Sequence, residues 1–356
     1  MNNQQNKATS LVFIAHWVEN LNWMTKLIPC LRRHWSIAHW FFWAWPLCAI
    51  ISVVYLIGYK RFDVVDRFIF RRSNNDEGIK AMTILIRNFG WHFFLPKFRS
   101  VIQQRILDAV LYAQEHVSVI GLGALTKDER ITKGGKWIVD ILGDRLHVPI
   151  VHGDTLTAMV VIQQALALIE KYRIKSPVFL TGSTSKIGRA VALYLAGRGI
   201  KVIMYTQDQE RFDKIYSEAG EHSDNLTRSD NLAEGYGCAL WIIGKTIPSG
   251  RELLEHIPKG AVVLNFAVPN PLTKCNFKRR PDLHGYEGGL LEYNPELTTL
   301  HFTMRLRPGL TYACHAGTFV HAAKGWTHHE VGPVDIGQLH EVWQAAQELG
   351  FRLPQL

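Results

Sequence analysis

The stretch Val178-Phe-Leu-Thr-Gly-Ser-Thr-Ser-Lys-Ile-Gly-Arg-Ala190 constrains this chain more than any other. A short apolar run, Pro177 to Leu180, leads into a glycine-bearing turn. A helix is expected from about Ser185, and a second apolar run, Ile200 to Tyr205, follows it. Strand, glycine turn, helix and strand make the βαβ unit that binds dinucleotides. Gly182 would form the tight turn, Gly188 would let helix and strand approach closely, and amides at the helix N-terminus would face a pyrophosphate. The candidate cofactor residues are therefore Thr181, Gly182, Ser183, Thr184, Ser185, Lys186, Ile187 and Gly188. The glycine spacing is looser than G-x-G-x-x-G and closer to the turn of short-chain reductases. A βα turn that binds nothing also uses glycines, so the strand before and the stopped helix after (Gly197, Gly199) carry the cofactor reading.

A ribose-binding acid is expected at the tip of the second strand, roughly 20 residues past the first glycine. Tyr205-Thr206-Gln207 stands there, Asp208 comes late, and Arg211 is close. The missing acid weakens the case for NAD and permits NADP, so NADP is the expected cofactor with NAD not excluded.

The remaining pattern alternates. Helical periodicity runs from Val101 to Glu115 and from Leu156 to Tyr172, with Asp154 or Thr155 as the N-cap of the second helix. Buried strands are expected at His116–Gly123, Val148–Val151, Cys238–Ile243 and Ala261–Phe266. The segment 126–142 reads as a helical crossover broken by Gly134-Gly135, and 221–234 as a surface loop or short helix. The fold class is α/β: a Rossmann-like doubly wound parallel sheet, an N-terminal α/β lobe, and a hydrophobic N-terminal membrane segment.

That membrane segment is Trp40–Gly58, 19 uncharged residues, just long enough to cross ~30 Å of hydrocarbon as a helix. Arg32-Arg33 and Lys60-Arg61 flank it, and Trp40, Trp43, Trp45, Tyr55 and Tyr59 gather near its ends. Pro46 also permits a kinked or re-entrant course, and a buried helix is the plain alternative. Leu11 to Pro29 reads as an interfacial stretch. The expected divisions are an interfacial segment at 1–36, a membrane anchor at 37–60, a linker at 61–98, an α/β lobe at 99–172, the dinucleotide domain at 173–285 and a C-terminal helical segment at 286–356. The bulk of the chain is placed in the cytosol, at the endoplasmic reticulum if eukaryotic and the inner membrane if bacterial.

The net charge of +9 is spread in small clusters, without the aromatic interleaving of an RNA-binding sheet, so nucleic acid is not an expected partner. A positive surface suits anionic lipid or a phosphorylated carrier. The five cysteines are scattered and odd in number, which reads as reduced thiols. One of them, Cys314, falls after Pro308-Gly309 in the first turns of a helix that stops near Gly325. The helix dipole there favours a thiolate nucleophile, with Gly317 leaving room and His321 on the same face. On the residues alone, a small buried hydrophobe is the competing reading. Gly288, Gly289 and Glu292 either shape the site or form a turn.

Several motifs carry a family resemblance in shared order. Gly153-Asp-Thr-Leu-Thr-Ala158, the turn at 181–188, Glu287-Gly-Gly-Leu-Leu-Glu292, Tyr312-Ala-Cys-His-Ala316 and Glu348-Leu-Gly-Phe-Arg-Leu-Pro354 resemble the cyanobacterial long-chain acyl-(acyl-carrier-protein) reductases. That resemblance implies Cys314 as the acylated nucleophile. Val119–Leu125, Val151–Ala158, and above all His321-Ala-Ala-Lys-Gly-Trp-Thr-His-His-Glu330 with Val342-Trp343 resemble the plant eceriferum/wax2 very-long-chain aldehyde decarbonylase family, the nearer match. In that family the chemistry is attributed to a histidine-rich, iron-holding domain. The 16 histidines here form no such boxes; His34 with His39 and His328-His329 come nearest, and no metal site is expected.

Two functions follow as expectations. The first is a membrane-anchored, NAD(P)H-dependent reductase that turns a long-chain acyl thioester into a fatty aldehyde through S-acyl Cys314. The second is a noncatalytic or partner subunit of an alkane-forming very-long-chain aldehyde decarbonylase, with the iron site of an aldehyde oxygenase on another chain. A shikimate-dehydrogenase-like or short-chain reductase is a third, weaker reading, and the absent Tyr-x3-Lys pair counts against the short-chain branch.

Overall fold

A computed structural model of the chain describes residues 10–17, 61–71, 77–245, 250–267, 272, 274–300 and 306–355. They fall into two compact units. The first takes the described residues of Met1–His152, Glu296–Arg305 and His321–Gly332; the second takes those of Gly153–Pro295, Leu306–Val320 and Pro333–Leu356.

The first unit is built on β1 (Ser10–Trp17), β2 (Phe62–Phe70), β3 (Ile79–Phe89), α1 (Arg99–Gln114), β4 (Val119–Leu122), α2 (Lys136–Leu142) and β5 (Ile150–Val151). Its sheet runs β2-β3-β1-β4-β5, with β2 antiparallel to β3 and the other neighbours parallel. β1 lies in the middle. Residues Leu11 to Ala15 are all buried, which is why the run is continuously apolar instead of alternating. Val12 and Ile14 join Met82, Ile84 and Ile86 of β3 and Ile120 and Leu122 of β4 under Ile102, Ile106, Ala109 and Val110 of α1.

Two expectations are corrected here. Ser10–Trp17, read as part of an interfacial segment, is a central strand, because sheet burial on two faces gives the same apolar run as a headgroup-level helix. Residues 61–98, read as a linker, supply two strands; their pairing partners are distant in sequence, so no local signal marked them. Trp40–Gly58 lies outside the described residues. Among the described residues, no helix is long and apolar enough to cross a membrane.

The second unit opens with α3 (Asp154–Lys171) and continues as β6 (Val178–Thr181), α4 (Lys186–Gly197), β7 (Val202–Tyr205), α5 (Gln209–Glu218), β8 (Leu226–Ser229), β9 (Leu240–Ile243), α6 (Gly250–His256), β10 (Val262–Asn265), α7 (Lys274–Arg279) and β11 (His284–Glu287). The strands pair in parallel in the order β11-β10-β9-β6-β7-β8. This is the doubly wound order, with the chain reversing its direction of travel between β6 and β9. Alternate residues feed the two faces. Leu180, Met204, Ile242 and Leu264 pack beneath α3 and α4, whereas Phe179, Trp241, Ile243 and Val263 pack beneath α6. Truncating one such buried leucine to alanine costs about 2–5 kcal/mol.

β12 (Leu290–Glu292), β13 (Leu310–Tyr312), α8 (Ala313–Lys324) and α9 (Leu339–Glu348) complete the described elements. β12 and β13 form an antiparallel pair. α3, expected within the lobe at 99–172, falls in the second unit, since its apolar face belongs to the core of the dinucleotide-type sheet.

Candidate functional site

The C-terminal ends of β6 and β9 meet at the topological switch, where open α/β sheets place their ligands. Gly182 leaves β6 with φ +67°, and a Cβ there would lie 2.7 Å from the Gly244 carbonyl carbon. Both the left-handed backbone and the close approach require glycine. The Gly244 amide in turn donates to the Thr181 carbonyl at 3.0 Å. At Gly188 a Cβ would overlap the Gly182 carbonyl and stand 2.9 Å from the Cα of Ser183. The first turn of α4 is thereby seated directly on the loop.

The expected cofactor residues thus form one connected loop. Thr181 and Ser183 are fully buried, and the Ser183 hydroxyl donates to the Tyr205 carbonyl at 3.3 Å, tying the turn to the tip of β7. Thr184 and Ile187 are half-buried. Ser185 caps α4, its hydroxyl accepting the Gly188 amide at 3.1 Å. Lys186 folds inward: its Nζ lies 3.3 Å from Oδ2 of buried Asp154, a residue in the first turn of α3. The α3 dipole helps keep that carboxylate charged.

Asp154 or Thr155 was expected as the N-cap of α3. The cap is Gly153, at φ +66°, and this leaves the carboxylate of Asp154 available to Lys186. Gly153 also fits against Cys314, for a Cβ on Gly153 would come within 2.7 Å of the Cys314 Cα. Gly317, one turn further along α8, stands close to Gly153 as well. Cys314 is half-buried at the start of α8, as the Pro-Gly signal implied, and its backbone neighbour Gly153 precedes the aspartate that meets the glycine turn.

The Glu287–Glu292 motif positions these helices. Gly289, at φ +73°, donates its amide to Gln164 Oε1 at 3.1 Å and accepts the Ala313 amide at 2.8 Å. The same Gln164 donates to the Glu287 carbonyl at 3.2 Å. Glu292 is engaged elsewhere, pairing with Arg307 at 2.9 Å.

At the tip of β7, Asp208 is consumed as the cap of α5, accepting the Arg211 amide at 3.0 Å and pairing with the Arg211 guanidinium at 3.2 Å. Arg228 donates to the Thr206 carbonyl at 3.1 Å. Arg228 also pairs with Asp230 at 3.3 Å, so at the strand tip where a ribose-binding acid was expected Asp208 and both arginines are already paired.

The histidines take structural partners. His315 is buried, shares a hydrogen bond with Thr311 Oγ1 at 3.1 Å, and is lowered by desolvation to a pKa of about 4. His321, on the Cys314 face by spacing, donates to the His328 carbonyl at 2.8 Å and is likewise lowered by burial to about 4. His329 accepts the Ile150 amide at 3.1 Å. Among the described residues, no three His, Cys, Asp or Glu side chains cluster so as to hold a metal ion. An iron centre does not fit these residues.

Residues 178–353 match the family described as CER1-like, C-terminal domain. The very-long-chain aldehyde decarbonylase GL1-1 of Oryza sativa subsp. indica is 32% identical over 96% of this chain and 53% of its own length. GL1-2 of the same plant is 36% identical over 75% of this chain and 41% of its own. The chain thus spans about half the length of the curated relatives it matches. Among solved structures, L-tryptophan dehydrogenase from Nostoc punctiforme covers 96% of this chain and 80% of its own at 10% identity and a TM-score of 0.38, a likeness too loose to bear on function.

These relatives overturn the first functional expectation. They are named for decarbonylation of very-long-chain aldehydes, a reaction that consumes an aldehyde, whereas reduction of an acyl thioester through S-acyl Cys314 would make one. The second expectation, a part in an aldehyde decarbonylase system, stands closer to them.

Proposed function

This chain belongs to the CER1-like family through its C-terminal domain, and from that premise we propose that it serves a very-long-chain aldehyde decarbonylase as its dinucleotide-binding part, beside an iron site carried on other residues. One observation supports the reading: within the family-matched region, the turn 181–188 follows a strand at the sheet's topological switch, with Gly182 and Gly188 in places where a side chain would collide. Bound there, a reduced nicotinamide supplies reducing equivalents. The protein's contribution is positional. The amides at the start of α4 face the pyrophosphate, Ser183 fixes the turn to β7, and Lys186, anchored by Asp154, adds positive charge beside the phosphates. Asp208, the acid nearest the β7 tip, is already the cap of α5 and the partner of Arg211, which favours NADP over NAD. Long-chain aldehyde is the substrate class of the whole system, and an iron-dependent aldehyde oxygenase is the partner.

The test is binding first and turnover second. Titration of the purified chain with NADPH and NADH, followed by nicotinamide fluorescence, is expected to give saturable binding that favours NADPH. Gly188→Val is expected to abolish it. Alkane is expected from a very-long-chain aldehyde and NADPH only when a histidine-box iron protein is added. Absence of nucleotide binding would remove the cofactor reading; alkane made by the chain alone would remove the partner reading.

A further inference from the structure

The loop after β3 gathers exposed apolar side chains. Phe94 is 55% exposed, Leu95 37% and Val101 38%, and exposed Pro96 lies between them. The loop is not slack. Two 3-10 turns, Gly90–Phe94 and Pro96–Phe98, hold it, and the amide of Phe89 donates to Nδ1 of buried His92 at 2.9 Å. A rigid loop holding phenylalanine and leucine out in water loses hydrophobic stabilisation unless something covers it.

The loop's own charges have one sign. Between Glu77 and Asp108 the sequence has no acidic residue, while Lys97 and Arg99 stand exposed beside the apolar tip. Arg130 stacks its guanidinium 5.3 Å from the centre of the Phe94 ring and is itself held by Asp128 at 2.9 Å. The acids facing the patch are Asp128, which is spent on Arg130, and exposed Glu129.

The topology says which way this edge faces. β1 ends at Trp17, paired with Phe89, one residue before the loop. The chain returns at Arg61, whose carbonyl accepts the Arg87 amide at 3.1 Å, and Phe62 pairs with Ile86. Trp17 and Phe62 therefore both lie at the end of the sheet where β3 runs into the loop that carries Phe94 and Leu95.

We propose that the Phe94–Phe98 loop and the first turn of α1 form a peripheral membrane-docking surface that inserts Phe94 and Leu95 into the headgroup region of an anionic bilayer while Lys97 and Arg99 engage its lipid phosphates and carboxylates. Four apolar side chains are far fewer than the twenty or so that a stable protein interface uses, but they suffice for interfacial insertion backed by basic residues.

The test uses the full chain with phosphatidylcholine vesicles, with and without about one third phosphatidylserine. Hydroxyl-radical footprinting reads oxidation of the Phe94 side chain directly, so binding through other segments does not mask the result. Phe94 is expected to oxidise readily in vesicle-free protein and to be protected by the serine-lipid vesicles. Phe94→Ser with Leu95→Ser should lower vesicle partitioning by about tenfold or more. Lys97→Gln with Arg99→Gln should remove most of the dependence on the anionic lipid, at about fivefold per charge. All four side chains are exposed, so the melting temperatures should hold. The proposal is overturned if Phe94 stays oxidised on bound vesicles, if it is already protected without them by the chain's own residues or a second copy, or if neither double variant changes partitioning.

Discussion

Gly153 and Cys314 touch backbone to backbone: a Cβ added to Gly153 would overlap the Cys314 carbonyl and stand 2.7 Å from its Cα. The N-termini of α3 and α8 are locked together at this point, and Gly153 also needs φ +66°. Gly153→Ala should therefore destabilise the second unit by about 2–4 kcal/mol, combining overpacking with backbone strain. Chemical denaturation should show a lower midpoint. Gly199, in the same unit, is the control, because it too has a positive φ (+73°) but an added Cβ would meet nothing within 4 Å. Gly199→Ala should cost only the strain, about 1 kcal/mol. Equal losses at the two positions would mean that the contact with Cys314 contributes nothing.

Stability should fall as the solution is made mildly acidic, and His315 shows why. Complete burial lowers its pKa from the ordinary 6.5 to about 4. In the unfolded chain the same imidazole takes up its proton near 6.5. Between those values the unfolded state binds more protons, so stability rises with pH across the window, is complete above about 6.5 and erodes toward 4. At pH 5.5 the loss from His315 alone is on the order of 1 kcal/mol. His92 and His321, lowered by burial in the same direction, add to it. Urea midpoints measured at pH 7.5 and 5.5 test this. His315→Gln should flatten the dependence whatever its own effect on stability, and an unchanged slope would count against a neutral buried His315.

The site was legible where its signals are local. The strand 178–181, the two glycines of the turn and Ser185 as a cap all follow from short-range rules, and α4 begins one residue after its cap. The helix bearing Cys314 was likewise bracketed by Pro308-Gly309 and Gly325. What the sequence hid depends on contacts between distant positions. Leu11–Ala15 is apolar whether a sheet or a lipid surface covers it, and only its pairing with β3 and β4 decides. β8 was taken for part of a surface loop or short helix because Thr227 and Arg228 interrupt its apolar pattern at the edge of the sheet. Asp154 has the chemistry of an N-cap, but Gly153 takes the cap by adopting the left-handed conformation, and nothing local distinguishes the two.

The pair formed by Lys186 and Asp154 separates a structural role from a binding one. The carboxylate is buried, whereas the lysine side chain keeps 23% of its exposure. Asp154→Ala leaves an ammonium with little water and should cost about 3 kcal/mol. Lys186→Met leaves a carboxylate that the N-terminus of α3 still favours, so it should cost less, by about 0.3–1 kcal/mol of dipole interaction. The combined change, Asp154→Leu with Lys186→Met, removes both charges and should recover most of the stability lost in Asp154→Ala, giving a coupling of about 1–3 kcal/mol in a double-mutant cycle. Nucleotide affinity should follow a different order. If the ammonium meets phosphate, NADPH binding weakens in Lys186→Met and stays weak in the double variant even though its fold is restored. Affinity that recovers along with stability would make the lysine a strut between α3 and α4, and would leave phosphate recognition to the amides of the turn.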